Sequence, residues 1–280
     1  MICADIHNHT VASHGLATVD QMFAAAAARK LTWFGFSEHS PLPPGYSCPL
    51  YKSDLVVTFP AYAAQVLALK EQTASINASG QPLPRVLLGM ELDWLPVNTP
   101  WMRSMISRYP FDYVIGGLHF VDDLPVGSPR SWGAEVEQAQ RFARYEAYYE
   151  AMRGLAASGM VDVVAHPDFI KVCCFDDFQS WLALPGSMDR IAAALEAMRA
   201  TDTAMEVSSA GLRKPFHEPY PGPAIMRLAA DLGLCISFGS DAHNSDDTGS
   251  YFTELAAYAA SFGFARSRIC VGRDRMELAF

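Results

Sequence analysis

Short apolar runs rich in β-branched and aromatic residues alternate with longer segments of helical periodicity, and this alternation most constrains the fold. The runs cover residues 2–6, 31–36, 85–90, 113–118, 161–165, 204–207, 234–238 and, more briefly, 269–271. Strands that alternate with helices predict βα units and a parallel sheet. With 280 residues, the chain fits a β/α barrel, since such barrels run to about 250 residues. An open, doubly wound sheet is the alternative.

Helices are predicted between these runs. Thr18-Val19-Asp20-Gln21 has the pattern of a capping box and opens an Ala-rich helix that extends to residue 30. The other predicted helices cover residues 59–77, 135–158, 188–200, 223–232 and 248–262. Glycines follow three of them, as is common after a helix end. Neither a repeat nor a linker interrupts the pattern, so we expect residues 1–280 to form a single barrel domain.

Composition excludes several classes of protein. A chain with 50% hydrophobic and 11% aromatic residues is not disordered. No apolar stretch reaches the roughly 18 residues of a spanning helix, and the first residues lack a signal-peptide pattern, so we expect a cytoplasmic protein without a membrane partner. The net charge of −9 argues against nucleic acid as a partner. The six cysteines have no metal or disulfide spacing, which predicts reduced thiols.

Histidines and carboxylates follow most of the predicted strands. In a parallel barrel these strand ends open onto one face, where active sites are built. Residues two apart on a strand point to the same side, so each His-x-His or Asp-x-His pair can hold one metal. Imidazole and carboxylate ligands suit zinc, iron or manganese, and not calcium. The candidates in chain order are His7, His9, Glu38, His39, Glu91, His119, His166, Asp241 and His243.

This motif series resembles that of the PHP family, the polymerase and histidinol phosphatase domains. The matching motifs extend from about residue 5 to residue 245. Residues 206–215, 218–221 and 166–171 are similar to segments of the histidinol-phosphate phosphatase branch of that family. The sequence departs from the pattern at Glu38, where many members have Asp, at Ser208, where Asn is common, and at Ala210, where Ser is common. The motifs are Asp5-Ile6-His7-Asn8-His9-Thr10, His14, Ser37-Glu38-His39, Gly89-Met90-Glu91-Leu92-Asp93, His119, His166-Pro167-Asp168 and Gly239-Ser240-Asp241-Ala242-His243.

The resemblance implies a distorted (β/α)7 barrel with a trinuclear metal centre at the C-terminal end of its strands. It implies two or three divalent ions of zinc, iron or manganese, and hydrolysis of L-histidinol phosphate, a small phosphomonoester, in histidine biosynthesis. Carried over by position, one metal would be held by His7, His9, Glu91 and Asp241. A second would be held by Glu91, His119 and His166, with Glu91 bridging, and a third by His14, His39 and His243.

Further polar residues near the expected mouth are candidates for catalysis or substrate contact. Arg213 is predicted to clamp the phosphate with its planar donor fork, and Lys171 is a weaker second clamp. One acidic residue is expected to bind a substrate ammonium and another to protonate the leaving group. Asp168 could instead orient a metal-bound histidine. We assign catalytic roles to Glu91, Asp241, Asp168 and Arg213, and substrate contacts to Arg213, Lys171, Glu206, Asp93, Glu218 and His217.

Three other functions stay open at this point. One is a PHP phosphoesterase that acts on another small phosphoester or a nucleotide. A second is an amidohydrolase-type enzyme that cleaves C–N bonds; such enzymes often carry a lysine at the end of the fourth strand, where this chain has Gly116-Gly117-Leu118-His119. The third is a non-catalytic metal-binding module, which usually loses ligands, whereas none is missing here. The sequence does not indicate the oligomeric state.

Overall fold

Seven parallel strands form the central sheet of the computed structural model, which describes residues 1–280. Their spatial order is β1-β2-β3-β4-β7-β8-β9, which follows their order in the chain. Two further pairs, β5–β6 and β10–β11, form antiparallel hairpins. The strands are β1 Ala4–Asp5, β2 Trp33–Phe36, β3 Arg85–Asp93, β4 Tyr113–Gly117, β5 Phe120–Val121, β6 Leu124–Pro125, β7 Val163–Val164, β8 Ala204–Ser208, β9 Ile236–Gly239, β10 Arg266–Val271 and β11 Asp274–Ala279.

Helices connect the parallel strands. None of them combines the length and the apolar character that a membrane crossing requires. Short 3₁₀ helices cover Pro96–Asn98, Phe169–Val172 and Ser209–Arg213. The α-helices are α1 Val19–Ala28, α2 Leu55–Ala78, α3 Thr99–Ser107, α4 Pro129–Trp132, α5 Gln138–Ala157, α6 Phe175–Leu182, α7 Ser187–Ala200, α8 Pro223–Asp231 and α9 Phe252–Ser261.

The first and last strands of the sheet approach each other and nearly close it into a barrel. The Ile6 N–H donates to the Phe238 carbonyl at 3.3 Å, and the His9 N–H donates to the Ala242 carbonyl at 2.8 Å. The predicted (β/α)7 barrel is therefore confirmed, and the alternative of an open sheet is wrong.

Alternating strand residues divide the apolar core into two parts. Val114 of β4 faces the larger cluster, which lies between the strands and the surrounding helices. Tyr113 and Ile115 face a smaller cluster inside the barrel. Ile269 and Cys270 of β10 also belong to the inner cluster, so the β10–β11 hairpin covers the N-terminal end of the barrel. The opposite end is left for polar side chains.

Most predicted elements are present, and the differences have local causes. The Thr18–Gln21 capping box is formed, but the last predicted helix begins at Phe252 because Gly249 and Tyr251 have φ of +59° and +58°. The predicted strand at residues 269–271 belongs to the hairpin and not to the parallel sheet. The sequence analysis missed α3, α4, α6, the β5–β6 hairpin and β11.

Candidate metal centre

The predicted ligands converge at the C-terminal end of the barrel. His7 and His9 follow β1, and Glu91 lies near the end of β3, where all three are almost fully buried. Ligand atoms within 4.8 Å of one another occur in the groups His7–His9–Glu91, His39–Glu91–His119 and His9–His39–His243. Residues that are far apart in the chain therefore form one cluster.

Glu91 is the centre of this cluster. Its two carboxylate oxygens face different histidines. Oε2 lies 2.9 Å from His39 Nδ1 and 3.4 Å from the Nε2 atoms of both His7 and His9. Oε1 lies 3.1 Å from His166 Nε2 and 3.4 Å from His119 Nε2. One carboxylate thus faces two groups of imidazoles, as a ligand that bridges two metals must.

Asp241 adds a second carboxylate that faces the His7–His9 pair. Its Oδ1 lies 3.3 Å from His9 Nε2 and 3.7 Å from His7 Nε2. Its φ of +48° is uncommon for a residue other than glycine and turns the chain sharply after β9. Burial acts to raise the pKa of Asp241, but His7 and His9 outweigh it and hold this pKa well below its usual value. Asp241 is therefore an anion.

A group of stacked imidazoles lies beside these residues. The His14 ring centroid is 4.3 Å from that of His243 and 5.0 Å from that of His39. Burial, followed by the nearby His39 and His9, lowers the pKa of His14 to about 4. Burial also lowers the pKa of His39 and His243. These imidazoles are therefore neutral near pH 7, and neutral imidazole is the form that binds metals.

Three carboxylates lie behind the histidines and orient them. Glu206 Oε1 is 2.7 Å from His7 Nδ1, and Asp93 Oδ1 is 2.7 Å from His119 Nδ1. Glu38 Oε1 is 3.3 Å from His9 Nδ1. In each case the carboxylate accepts from Nδ1–H, which leaves Nε2 free to face the cluster. Carboxylates commonly hold metal-binding histidines in this way.

This arrangement differs from the substrate contacts that the sequence suggested for Glu206 and Asp93. The sequence analysis listed Glu38 among the candidate ligands at strand ends, whereas the structure places its carboxylate against His9 Nδ1. The signal was available for Glu38 and Asp93, since each lies at or directly after the end of a strand and close to a predicted ligand, but not for Glu206, which lies in the middle of β8.

The donor set fits divalent metal ions. Buried polar atoms without a hydrogen-bond partner are rare in proteins, yet many occur together here. Ligation of metals such as zinc, iron or manganese would satisfy them, because imidazole and carboxylate are the ligands of these metals. Among the proposed ligands, the unpartnered atoms are His7 Nε2, His9 Nε2, His14 Nδ1, both ring nitrogens of His39, Glu91 Oε2, His166 Nδ1 and His243 Nε2.

Lys171 and Asp168 form a buried ion pair beside the mouth. The Lys171 ammonium donates to Asp168 Oδ2 at 2.8 Å, to Glu218 Oε1 at 2.7 Å and to the Pro219 carbonyl at 2.8 Å. These bonds use all three of its N–H groups, so the predicted phosphate clamp has no free donor at Lys171. Asp168 Oδ2 also accepts from the Gly222 N–H at 2.8 Å, whereas Oδ1 has no partner. Asp168 does not contact a ligand histidine through these bonds.

Arg213 lies against the segment that carries Asp241. Its Nη2 donates to the carbonyls of Ser240 and Asp241 at 2.8 and 3.0 Å, and its Nη1 donates to Ser250 Oγ at 3.2 Å. Its Nε is 3.4 Å from Asp247 Oδ2. Arg213 therefore supports the backbone of the Asp241 turn, and its charge lies at the barrel mouth.

The last two predicted contact residues lie on the loop between β8 and α8. Glu218 binds Lys171 and is partly exposed. His217 has a φ of +47°, and its Nδ1 lies 2.6 Å from the Leu212 carbonyl. Its ring meets that of Tyr251 edge-on at 6.0 Å. His217 is the one histidine of the chain that was not predicted as a ligand.

A family model places this arrangement among known proteins. The model of the PHP domain matches residues 5–210, which is more than half of the chain. The chain belongs to the PHP domain family. The resemblance on which the sequence analysis relied is thereby confirmed.

Two curated relatives agree with this chain in length, and a solved structure agrees with it in fold. A protein of Deinococcus radiodurans named "Probable histidinol-phosphatase" is 29% identical over 251 residues, which cover 89% of this chain and 90% of the relative. A protein of the same name from Schizosaccharomyces pombe is 22% identical, covering 94% and 87% of the two chains. The structure of histidinol phosphate phosphatase from Lactococcus lactis, complexed with Zn, L-histidinol and phosphate, is 17% identical. It covers 98% of both chains with a TM-score of 0.75, and at this identity the likeness concerns the fold.

Proposed function

We propose that this PHP protein is a metal-dependent phosphomonoesterase that hydrolyses L-histidinol phosphate to L-histidinol and phosphate. The observation that carries the proposal is the buried cluster around Glu91, in which imidazole and carboxylate atoms lack protein partners. The substrate is proposed because two relatives of similar length bear the name of this activity. A protein of the same fold has been solved with zinc, L-histidinol and phosphate.

The proposed metal ligands are the nine residues of the cluster. Divalent metals held there would neutralise the phosphate charge and lower the pKa of a water molecule toward neutrality. The chain itself fixes the ligands before a substrate arrives, because the barrel strands and the supporting carboxylates hold the rings in place. The set is His7, His9 and Asp241 with the bridging Glu91, then His119 and His166, and finally His14, His39 and His243.

Two further residues are proposed to act on the substrate. The Arg213 guanidinium lies beside Asp241 and attracts the phosphate dianion to the mouth, although its N–H groups hold the backbone. Asp168 has one buried carboxylate oxygen without a partner. We assign that oxygen to the ammonium group of the substrate, because a carboxylate that is ion-paired with Lys171 accepts hydrogen bonds and carries no proton for the leaving alkoxide.

The geometry gives less support to C–N hydrolysis. The chain after β4 carries no lysine to bridge two metals, and Glu91 occupies the position between the two groups of histidines. Lys171, which follows β7, is fully engaged by Asp168, Glu218 and Pro219.

Phosphate release from three substrates tests the proposal. L-Histidinol phosphate, an aryl phosphate and a nucleoside monophosphate are compared on protein that is stripped of metal and reloaded with manganese, zinc or iron in turn. We expect kcat/KM for L-histidinol phosphate to exceed the others by about 100-fold, a transition-state preference of about 2.7 kcal/mol. Equal and slow hydrolysis of all three compounds would overturn the assignment of L-histidinol phosphate as the substrate, but the protein would still be a metal-dependent phosphatase. Absence of hydrolysis with every metal would overturn the phosphatase itself.

A further inference from the structure

The Glu206 carboxylate contacts two metal-ligand residues that come from different parts of the chain. Glu206 lies in the middle of β8, and its side chain is completely buried. One oxygen, Oε1, lies 2.7 Å from His7 Nδ1. The other, Oε2, accepts the backbone N–H of His166 at 2.7 Å. Both oxygens are therefore used within the protein.

The contact with His7 fixes which ring nitrogen faces the cluster. Glu206 accepts a hydrogen bond from Nδ1–H, so the ring that binds a metal in its neutral form carries its lone pair on Nε2. Nε2 lies 3.4 Å from Glu91 Oε2 and 3.7 Å from Asp241 Oδ1, and it has no hydrogen-bond partner. The carboxylate thus directs the lone pair of His7 toward the proposed first metal.

The contact with His166 fixes a strained segment of backbone. His166 has a φ of +24°, which is unfavourable for a residue with a Cβ. The bond from its N–H to Glu206 holds the chain in this conformation as it leaves β7. The His166 ring then lies with Nε2 at 3.1 Å from Glu91 Oε1, on the side of the proposed second metal.

Gly239 of β9 provides the space for this arrangement. A Cβ at this position would collide with Glu206 Oε1 and would lie 2.6 Å from His7 Cβ. Both atoms belong to buried side chains, so neither has room to retreat. The neighbouring strand is therefore adapted to the Glu206–His7 contact.

From these contacts we propose that Glu206 is a positioning residue. It orients His7, a proposed ligand of the first metal, and His166, a proposed ligand of the second, and it does not touch the substrate. This inference rests on the proposed metal centre. It replaces the substrate contact that the sequence suggested for Glu206. Replacement of Glu206 should weaken the binding of both metals, because one carboxylate holds His7 and His166.

Metal affinity without substrate tests this role separately from the phosphatase proposal. The variant Glu206→Gln keeps the size of the side chain but can no longer accept at both oxygen positions. Competition with a chelator should show metal affinity about 10- to 100-fold below that of the unaltered protein, the usual effect of removing such a partner. The matched control is Glu254→Gln, which removes the same charge from an exposed position on α9 and should leave the affinity unchanged.

Two further measurements distinguish positioning from substrate contact. Nitrogen NMR of labelled histidine in the zinc-loaded protein should show His7 protonated at Nδ1 only in the unaltered protein and a changed tautomer in Glu206→Gln. In enzyme saturated with metal, the KM should change little. Unchanged metal affinity and an unchanged tautomer, with or without a raised KM, would overturn the proposal. If Glu206→Gln does not fold, Glu206→Asp keeps the charge but shortens the reach, and the same loss of affinity is expected.

Discussion

Replacing Lys171 with Met should destabilise the protein strongly, because its ammonium is completely buried and neutralises Asp168, which is 1% exposed. Removing one partner of a buried ion pair costs about 3–5 kcal/mol, since the other charge is left without compensation. The second partner, Glu218, has a side chain that is 20% exposed, so water can solvate it. We therefore take the lower end, about 3 kcal/mol.

Thermal and urea unfolding measure this loss directly. For a chain of 280 residues, about 3 kcal/mol corresponds to a decrease in Tm of roughly 5 °C. The control is Lys214→Met, because Lys214 takes part in no ion pair and should leave Tm nearly unchanged. The double variant Lys171→Met/Asp168→Asn should recover part of the stability, since it also removes the buried carboxylate charge.

Kinetics separate this structural role from the predicted phosphate clamp. A clamp that faced the substrate would raise KM when removed and would leave stability intact. A Lys171→Met protein with the Tm of the unaltered protein and a strongly raised KM would refute the reasoning. It would mean that the ammonium leaves Asp168 and Glu218 to bind phosphate.

Three other changes have expected outcomes. Gly239→Ala should lower the free energy of unfolding by about 1–3 kcal/mol in urea. The control Gly154→Ala, whose Cβ would lie 3.4 Å from Trp94, should be neutral or stabilising. Equal effects of the two substitutions would contradict the close approach at β9. Arg213→Ala should reduce the metal content measured by elemental analysis, because the carbonyls of Ser240 and Asp241 lose their donor. Arg213→Lys should restore the metal content only in part. Full metal content in Arg213→Ala would mean that Arg213 acts on the substrate alone and does not support the metal site. Chelation of the metals should destabilise the protein by about 2.7 kcal/mol relative to protein with free metal at 100-fold above its Kd, and an unchanged Tm would argue against metal binding to the folded state.

Most of the proposed metal ligands could be placed in one cluster from the sequence because they follow or end an apolar strand, whereas His14 was included only through the resemblance to the PHP family. The C-terminal ends of the strands all lie on one face of a parallel barrel. The convergence of His7, Glu91 and Asp241 could therefore be predicted without knowing the structure of the loops. The His-x-His spacing also required only the alternation of a strand. The alternation of strands and helices predicted a parallel sheet and, with the chain length, favoured a barrel over an open sheet; the seven-stranded form came from the resemblance to the PHP family.

The roles of the surrounding polar residues could not be predicted in the same way. The sequence predicts that Glu206 and Asp93 lie near the mouth of the barrel. Whether their side chains face the substrate or a histidine depends on the register between neighbouring strands. Lys171 and Asp168 are three residues apart in a short 3₁₀ segment, which turns the ammonium inward toward Asp168. The direction of such a side chain is decided by the packing of loops, which has no periodic signal in the sequence.

Stepwise reconstitution of the metal-free protein tests most directly the claim that one buried cluster holds several catalytic metals. Divalent metal is added in measured equivalents while bound metal and phosphate release from L-histidinol phosphate are followed together. Because the cluster offers three overlapping groups of ligands, two of which contain Glu91, we predict that two or three equivalents bind tightly. Activity should continue to rise beyond the first equivalent. Saturation of binding and activity at one equivalent, or hydrolysis at full rate without metal, would contradict the account.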